Sequence, residues 1–178
     1  GFFDIPVDNL FTTPLFTRYI KKNLKNKNLI CVSPDVGGVQ RTRGLATKIN
    51  VDLAIIDKRR SQPGKSQVMR IIGNVQNKEC IIVDDIIDSG GTIVNAVDAL
   101  IREGAKSVYV FVTHAVLSGE AINKIKKSKI NKLIITDSID NTKKIKNVSK
   151  IQVLSIAPLM AEAIKRISNS TSVSSLFN

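Results

Sequence analysis

Three aspartates, a serine, two glycines and a threonine are gathered in Asp84-Asp85-Ile86-Ile87-Asp88-Ser89-Gly90-Gly91-Thr92. Adjacent carboxylates accept hydrogen bonds from paired hydroxyls, such as the vicinal hydroxyls of a sugar. Neighbouring glycines let backbone amides approach an anion closely, and a threonine at a helix start adds a hydroxyl donor. The field of a helix N-terminus favours a phosphate by about 0.3–1 kcal/mol, and by about 2 when partly buried. Each hydrogen bond to a charged oxygen adds about 1.5–3 kcal/mol, so several amides together outweigh the dipole. A diol grip beside a phosphate cup suits a sugar phosphate such as ribose 5-phosphate. The opposing reading is an ordinary strand-to-helix turn capped by Asp88 or Ser89. That reading would win for a lone Ser-Gly-Gly, but three acids in one loop repel one another unless a ligand or metal relieves them. Asp84, Asp85, Asp88, Ser89, Gly90, Gly91 and Thr92 are therefore expected to bind substrate.

Other chemistry-bearing residues fall near the ends of apolar runs. Lys58-Arg59-Arg60 follows one such run and precedes Ser61-Gln62-Pro63-Gly64, whose composition predicts a mobile loop. It reads either as ordinary surface charge or as Lys58 and Arg60 closing over a polyphosphate, where cations stabilise developing charge. Asp35, before Gly37-Gly38, is either a turn aspartate capping the next helix or a hard oxygen ligand for Mg²⁺. Gly64-Lys65-Ser66 imitates the end of a P-loop, but Arg59 stands where such a motif needs its first glycine. His114 closes another apolar run and is assigned no role.

The elements that must position these residues can be read from the hydrophobic pattern. Near-continuous apolar runs at Leu29–Ser33, Asp52–Asp57, Cys80–Asp84, Ser107–Val112, Lys132–Thr136 and Ile151–Leu154 predict strands covered on both faces, as in a parallel sheet. Helices are expected from Thr13-Pro14 towards Leu24, over Val39–Ile49 and over Thr92–Glu103, with Gly104 ending the last. Further helices are expected from Ser118, as cap, through Lys127 and over Pro158–Ile167. Strands alternating with helices give an α/β fold, a mostly parallel sheet flanked by helices with right-handed crossovers. Ligands then collect outside the carboxyl ends of the strands, where Asp84 and Asp85 are delivered. The Ser/Asn-rich tail, Ser168–Ser175, is expected to be looser.

Composition narrows the class. The 178 residues suit one domain, and 43% hydrophobic content with 4% aromatics and no Trp builds a core from Ile, Val, Leu and Ala. No apolar run approaches the roughly 18–20 residues that span a bilayer, so no membrane partner is expected. Gly1-Phe2-Phe3-Asp4 shows neither basic leader nor signal segment. The missing initiator Met suggests a chain beginning partway through a longer protein. Cys31 and Cys80 lie in strand-like runs and read as buried free thiols of a cytoplasmic protein. The net charge of +12 comes from scattered lysines without interleaved aromatics, which reads as a solvated surface and excludes nucleic acid as partner. It also favours anionic metabolites through steering.

Val83-Asp84-Asp85-Ile86-Ile87-Asp88-Ser89-Gly90-Gly91-Thr92 closely resembles the phosphoribosyl-pyrophosphate loop of the type I phosphoribosyltransferase fold. Within that fold the chain resembles the ribose-phosphate pyrophosphokinase (phosphoribosyl-pyrophosphate synthetase) family. Gly1 to Leu10 is similar to the segment opening that family's C-terminal half. Val32-Ser33-Pro34-Asp35-Val36-Gly37-Gly38, Ile56-Asp57-Lys58-Arg59-Arg60 and Ala161-Glu162-Ala163-Ile164-Lys165-Arg166 are similar to its other signatures. Ser89 replaces the commoner Thr and keeps the hydroxyl. The resemblance implies a transferase of nucleotide biosynthesis that moves pyrophosphate from ATP to ribose 5-phosphate, with Mg²⁺ as cofactor. It further implies catalytic roles for Lys58 and Arg60, a metal role for Asp35, a homohexamer, and activation by inorganic phosphate at a site including Ser172 and Ser174. The family's N-terminal half, with most adenine contacts and another metal ligand, would lie outside these residues, leaving this part poorly active alone. Two alternatives stand beside it: a phosphoribosyltransferase that uses the same loop, and a non-catalytic regulatory subunit that keeps the fold.

Overall fold

The computed structural model describes residues 3–25, 27–59 and 68–177. Arg60, the segment 61–67 and the Gly64-Lys65-Ser66 decoy lie outside the described residues. Seven strands form one sheet in the order β3-β2-β1-β4-β5-β6-β7. They are β1 (Leu29–Ser33), β2 (Asp52–Arg59), β3 (Val68–Ile72), β4 (Glu79–Ile87), β5 (Ser107–Ala115), β6 (Lys132–Thr136) and β7 (Ile151–Leu154). Every neighbouring pair is parallel except β2 and β3, which run antiparallel.

The near-continuous apolar strands are explained by cover on both faces. Alternate residues of a strand point to opposite sides, and each side has its own core. On one, Cys31, Ile81, Phe111 and Ile134 meet Phe16 and Ile20 of α1 (Thr13–Asn23) and Leu45 of α2 (Val39–Ile49). On the other, Val32, Ile82, Val110 and Leu133 meet Ile93, Val97 and Leu100 of α3 (Gly91–Arg102) and Ile125 of α4 (Ala121–Lys127). Burying one such aliphatic side chain is worth about 1.5–3 kcal/mol, so two filled faces fix the register of the central strands. Cys31 and Cys80 are free and fully buried on opposite faces. Desolvation pushes both thiols up to about 12.

Several expectations need correction. β3 was not anticipated; it is an edge strand whose Ile72 is half exposed, so it lacks the two-sided apolar signature. β4 continues through Asp84 and Asp85 to Ile87, because Ile86 and Ile87 pair with His114 and Ala115. Asp84 and Asp85 therefore stand on the strand itself, and Asp88 follows in the turn. Thr12, not Thr13, occupies the N-cap of α1, and its hydroxyl bonds that of Thr113 at 2.8 Å. Ser118 lies before the start of α4 and offers its carbonyl to Ala121 N–H instead of capping with its side chain.

The carboxyl end gains a short helix, α5 (Thr142–Ile145), and a 3-10 turn at Ser174–Phe177, while α6 (Ala157–Ser168) forms where Pro158–Ile167 was expected. The tail is tied down where looseness was expected. Arg166 of α6 donates to the Ser172 carbonyl at 2.9 Å and to the Ser175 hydroxyl, and the Phe177 ring meets Phe11 edge-on. Among the described residues, no helix is long and apolar enough to cross a membrane.

Candidate functional site

The parallel register fixes which residues share the carboxyl edge. Val32 of β1 is level with Ala54 of β2 and with Ile82 of β4. Lys58 and Asp84 both follow those positions, and β1 ends at Ser33, so both stand beyond the end of the central strand. Asp35 is two residues past the same strand end. The carboxyl edge therefore carries Asp35, Lys58, Asp84 and Asp85, while Arg60 lies outside the described residues.

β4 turns into α3 through Asp88, Ser89 and Gly90. Gly90 has φ 74, a left-handed conformation that costs residues with a Cβ roughly 1–2 kcal/mol. The turn is held from behind: Ser118 N–H donates to the Asp88 carbonyl at 3.2 Å, and Lys124 reaches the Ser89 carbonyl at 3.2 Å. No side chain caps α3. Among the described residues, no protein acceptor is bonded to the amides of Gly90, Gly91 or Thr92. A helix start with open amides is a ready anion site. Asp84, Ile86, Ile87, Asp88, Ser89, Gly90, Thr92 and Ile93 line a cavity of about 260 Å³ over it. Asp88 and Ser89 are exposed, so their polar groups face solvent rather than core.

The aspartate pair is organised by a residue not anticipated from sequence, Arg41 of α2. Its Nη1 donates to Asp84 Oδ1 at 2.9 Å and its Nη2 to Asp85 Oδ2 at 2.7 Å. Burial, followed by the hydrogen-bonded Asp85 carboxyl, pushes Asp84 up to about 6 against the pull of Arg41. Asp85 lies below its ordinary value: partial burial opposes this, but the Asp84 hydrogen bond and the guanidinium prevail. Asp85 borders a second cavity of about 380 Å³, also lined by Asn9, Thr12, Phe16, Arg41 and His114. His114 Nδ1 lies 3.0 Å from the Ser138 hydroxyl.

The structure favours the turn reading of Asp35: its Oδ1 accepts the Gly38 N–H at 2.9 Å, next to the start of α2. Its half-buried carboxylate still has a second oxygen. Mg²⁺ commonly takes one or two protein carboxylates plus substrate phosphates and water, so the donor chemistry fits that ion. Among the described residues, no cluster of three or more His, Cys, Asp or Glu could hold a metal unaided.

Comparison with known proteins gives this geometry a lineage. Residues 60–178 match the family described as "Phosphoribosyl synthetase-associated domain". Ribose-phosphate pyrophosphokinases of Granulibacter bethesdensis and Rhizobium meliloti are 54% and 51% identical over the whole of this chain. The chain spans only 57% of the length of each. The crystal structure of phosphoribosylpyrophosphate synthetase from Mycobacterium smegmatis superposes with a TM-score of 0.86 at 37% identity, over 96% of this chain and 55% of that one. An adenine phosphoribosyltransferase structure shares the fold alone, with a TM-score of 0.55 at 18% identity over 69% of this chain and 76% of its own. The sheet is thus of the type I phosphoribosyltransferase kind, and the chain belongs to the phosphoribosyl synthetase-associated domain family.

Proposed function

We propose that this chain supplies the sugar-phosphate half of a ribose-phosphate diphosphokinase. The observation that carries the reading is the open α3 mouth: among the described residues the amides of Gly90–Thr92 have no protein acceptor, and the cavity over them is bordered by Asp84, which Arg41 ties to Asp85. Ribose 5-phosphate docks with its phosphate on the amides and hydroxyls of Ser89 to Thr92 and its ring hydroxyls on the carboxylates. The C1 hydroxyl then attacks the β-phosphorus of ATP. A new C1–O–P bond forms, the bridge between α- and β-phosphorus breaks, AMP leaves, and the hydroxyl proton is lost. No covalent enzyme intermediate is required.

Lys58, at the end of β2, and Arg60 stabilise charge on the transferring pyrophosphoryl group. Asp35 is the residue that would hold Mg²⁺, whose chemistry is to neutralise the polyphosphate oxygens. Holding two reactants together contributes several kcal/mol by making the step effectively unimolecular. The names of the relatives support the reaction, and their greater length supports a partner half that supplies adenine contacts. Cytoplasmic residence, consistent with two buried free thiols, belongs to the same reading. So do a homohexameric assembly and activation by inorganic phosphate near Ser172 and Ser174, whose hydroxyls lie 2.9 Å apart.

Calorimetry on the 178-residue chain tests the sugar site. Ribose 5-phosphate should bind more tightly than inorganic phosphate, and ribose alone should bind hardly at all. An absence of ribose 5-phosphate binding would refute the reading. In a chain of full family length, ATP and ribose 5-phosphate should yield AMP. Lys58→Ala should lower that turnover by orders of magnitude with little change in sugar-phosphate affinity; unchanged turnover would remove Lys58 from the chemistry.

A further inference from the structure

We infer that Arg41 is a positioning residue for the sugar diol, bridging Asp84 and Asp85 so that both carboxylates present acceptors to one ligand. The inference rests on the sugar-phosphate reading above and adds a residue to it.

Neighbouring strand residues point to opposite faces, and these two aspartates do diverge. Asp84 lines the cavity over the α3 mouth, whereas Asp85 lines the neighbouring one. A diol needs its two acceptors on the same side at fixed separation. Arg41 comes from a different element, α2, and engages one oxygen of each carboxylate at 2.9 and 2.7 Å. The guanidinium suits that task because its donors form a rigid planar fork. A lysine ammonium is a point charge and cannot fix the angle between two carboxylates. Arg41 is also the cation that opposes protonation of Asp84, which burial and Asp85 both favour. Its side chain is 37% exposed, so it borders the ligand space without being sealed in the core.

Calorimetry of ribose 5-phosphate and of inorganic phosphate with wild type, Arg41→Ala and Arg41→Lys separates the possibilities. Arg41→Ala should weaken ribose 5-phosphate binding about tenfold or more, leave phosphate binding unchanged, and raise the pH midpoint of sugar-phosphate binding. Arg41→Lys should recover the pH midpoint but only part of the affinity. If the alanine variant fails to fold, Arg41→Gln carries the same expectation for affinity. Equal or tighter ribose 5-phosphate binding in a folded Arg41→Ala overturns the inference, the tighter case showing a latch over the carboxylates. Parallel loss of sugar-phosphate and phosphate binding also overturns it, since Arg41 would then support the pocket as a whole. Failure of wild type to bind ribose 5-phosphate removes the underlying reading and the inference with it, an outcome distinct from the others.

Discussion

Two strand-to-helix turns at the same sheet edge are built from nearly the same residues and end in different states. Pro34-Asp35-Val36-Gly37-Gly38 leads from β1 into α2, and Asp88-Ser89-Gly90-Gly91 leads from β4 into α3. In the first, the two leading amides at the helix mouth already have protein acceptors. Gly38 donates to Asp35 Oδ1 at 2.9 Å and Val39 to the Val36 carbonyl at 3.4 Å. A Cβ on Gly38 would meet the Ser33 hydroxyl at 3.0 Å, so the turn is closed over itself. In the second, Gly90 in the left-handed region swings Asp88 and Ser89 outward and leaves the amides without protein acceptors. An aspartate followed by paired glycines therefore does not identify an anion site. What matters is whether the protein's own carboxylate reaches the amides first.

The comparison can be broken most severely by giving the open turn the carboxylate it lacks. A Cβ on Gly91 meets nothing within 4 Å, so Gly91→Asp should fold. Its charge at the α3 mouth should reduce ribose 5-phosphate affinity by about a hundredfold or more, the loss of one or two charge-assisted hydrogen bonds plus repulsion. Unchanged affinity in the calorimeter would place the phosphate elsewhere.

Asp84→Asn sharpens the diol side of the site. Affinity should fall roughly tenfold through loss of a charged acceptor, and the wild-type weakening as pH falls through about 6 should shrink to the part set by the phosphate's own second ionisation near 6. Stability should move the opposite way. Asp84 holds its proton more tightly folded than unfolded, so its contribution is full below the unfolded value near 3.8 and is lost as pH rises through about 6. Asp84→Asn should therefore melt above wild type in mildly alkaline buffer, and that advantage should vanish in acid. Thermal melts across pH would expose the opposite trend.

The smallest effect belongs to the closed turn. Asp35→Ala removes the bond to Gly38 and should cost about 1 kcal/mol in denaturant unfolding, while metal-free ribose 5-phosphate binding stays as it was. A large loss of sugar affinity would show that the two turns are not independent.

Much of this was legible in the sequence because its causes are local. Six strands announce themselves by apolar runs, although β7, at the sheet edge, leaves Gln152 and Val153 exposed instead of covered on two faces, and α2 spans Val39–Ile49 as expected. The acidic stretch ending in Gly-Gly-Thr declares both its carboxylates and its turn. Arg41 was not legible: it meets Asp84 and Asp85 across 43 and 44 residues of chain, and an isolated arginine on an amphipathic helix looks like solvated charge. β3 escaped because Arg70 splits its five residues into two short apolar pairs, too brief to read as a run. The serine-rich tail read as loose because its order comes from Arg166 and from Phe11, far away in sequence, rather than from its own composition.

The most direct test of the account is a crystal structure of this chain soaked with ribose 5-phosphate. The phosphate oxygens should lie within about 3 Å of the amides of Gly90, Gly91 and Thr92, with the ring hydroxyls facing Asp84 and Asp85. A phosphate bound instead at the Ser172–Ser174 tail, with the α3 mouth still open, would contradict it.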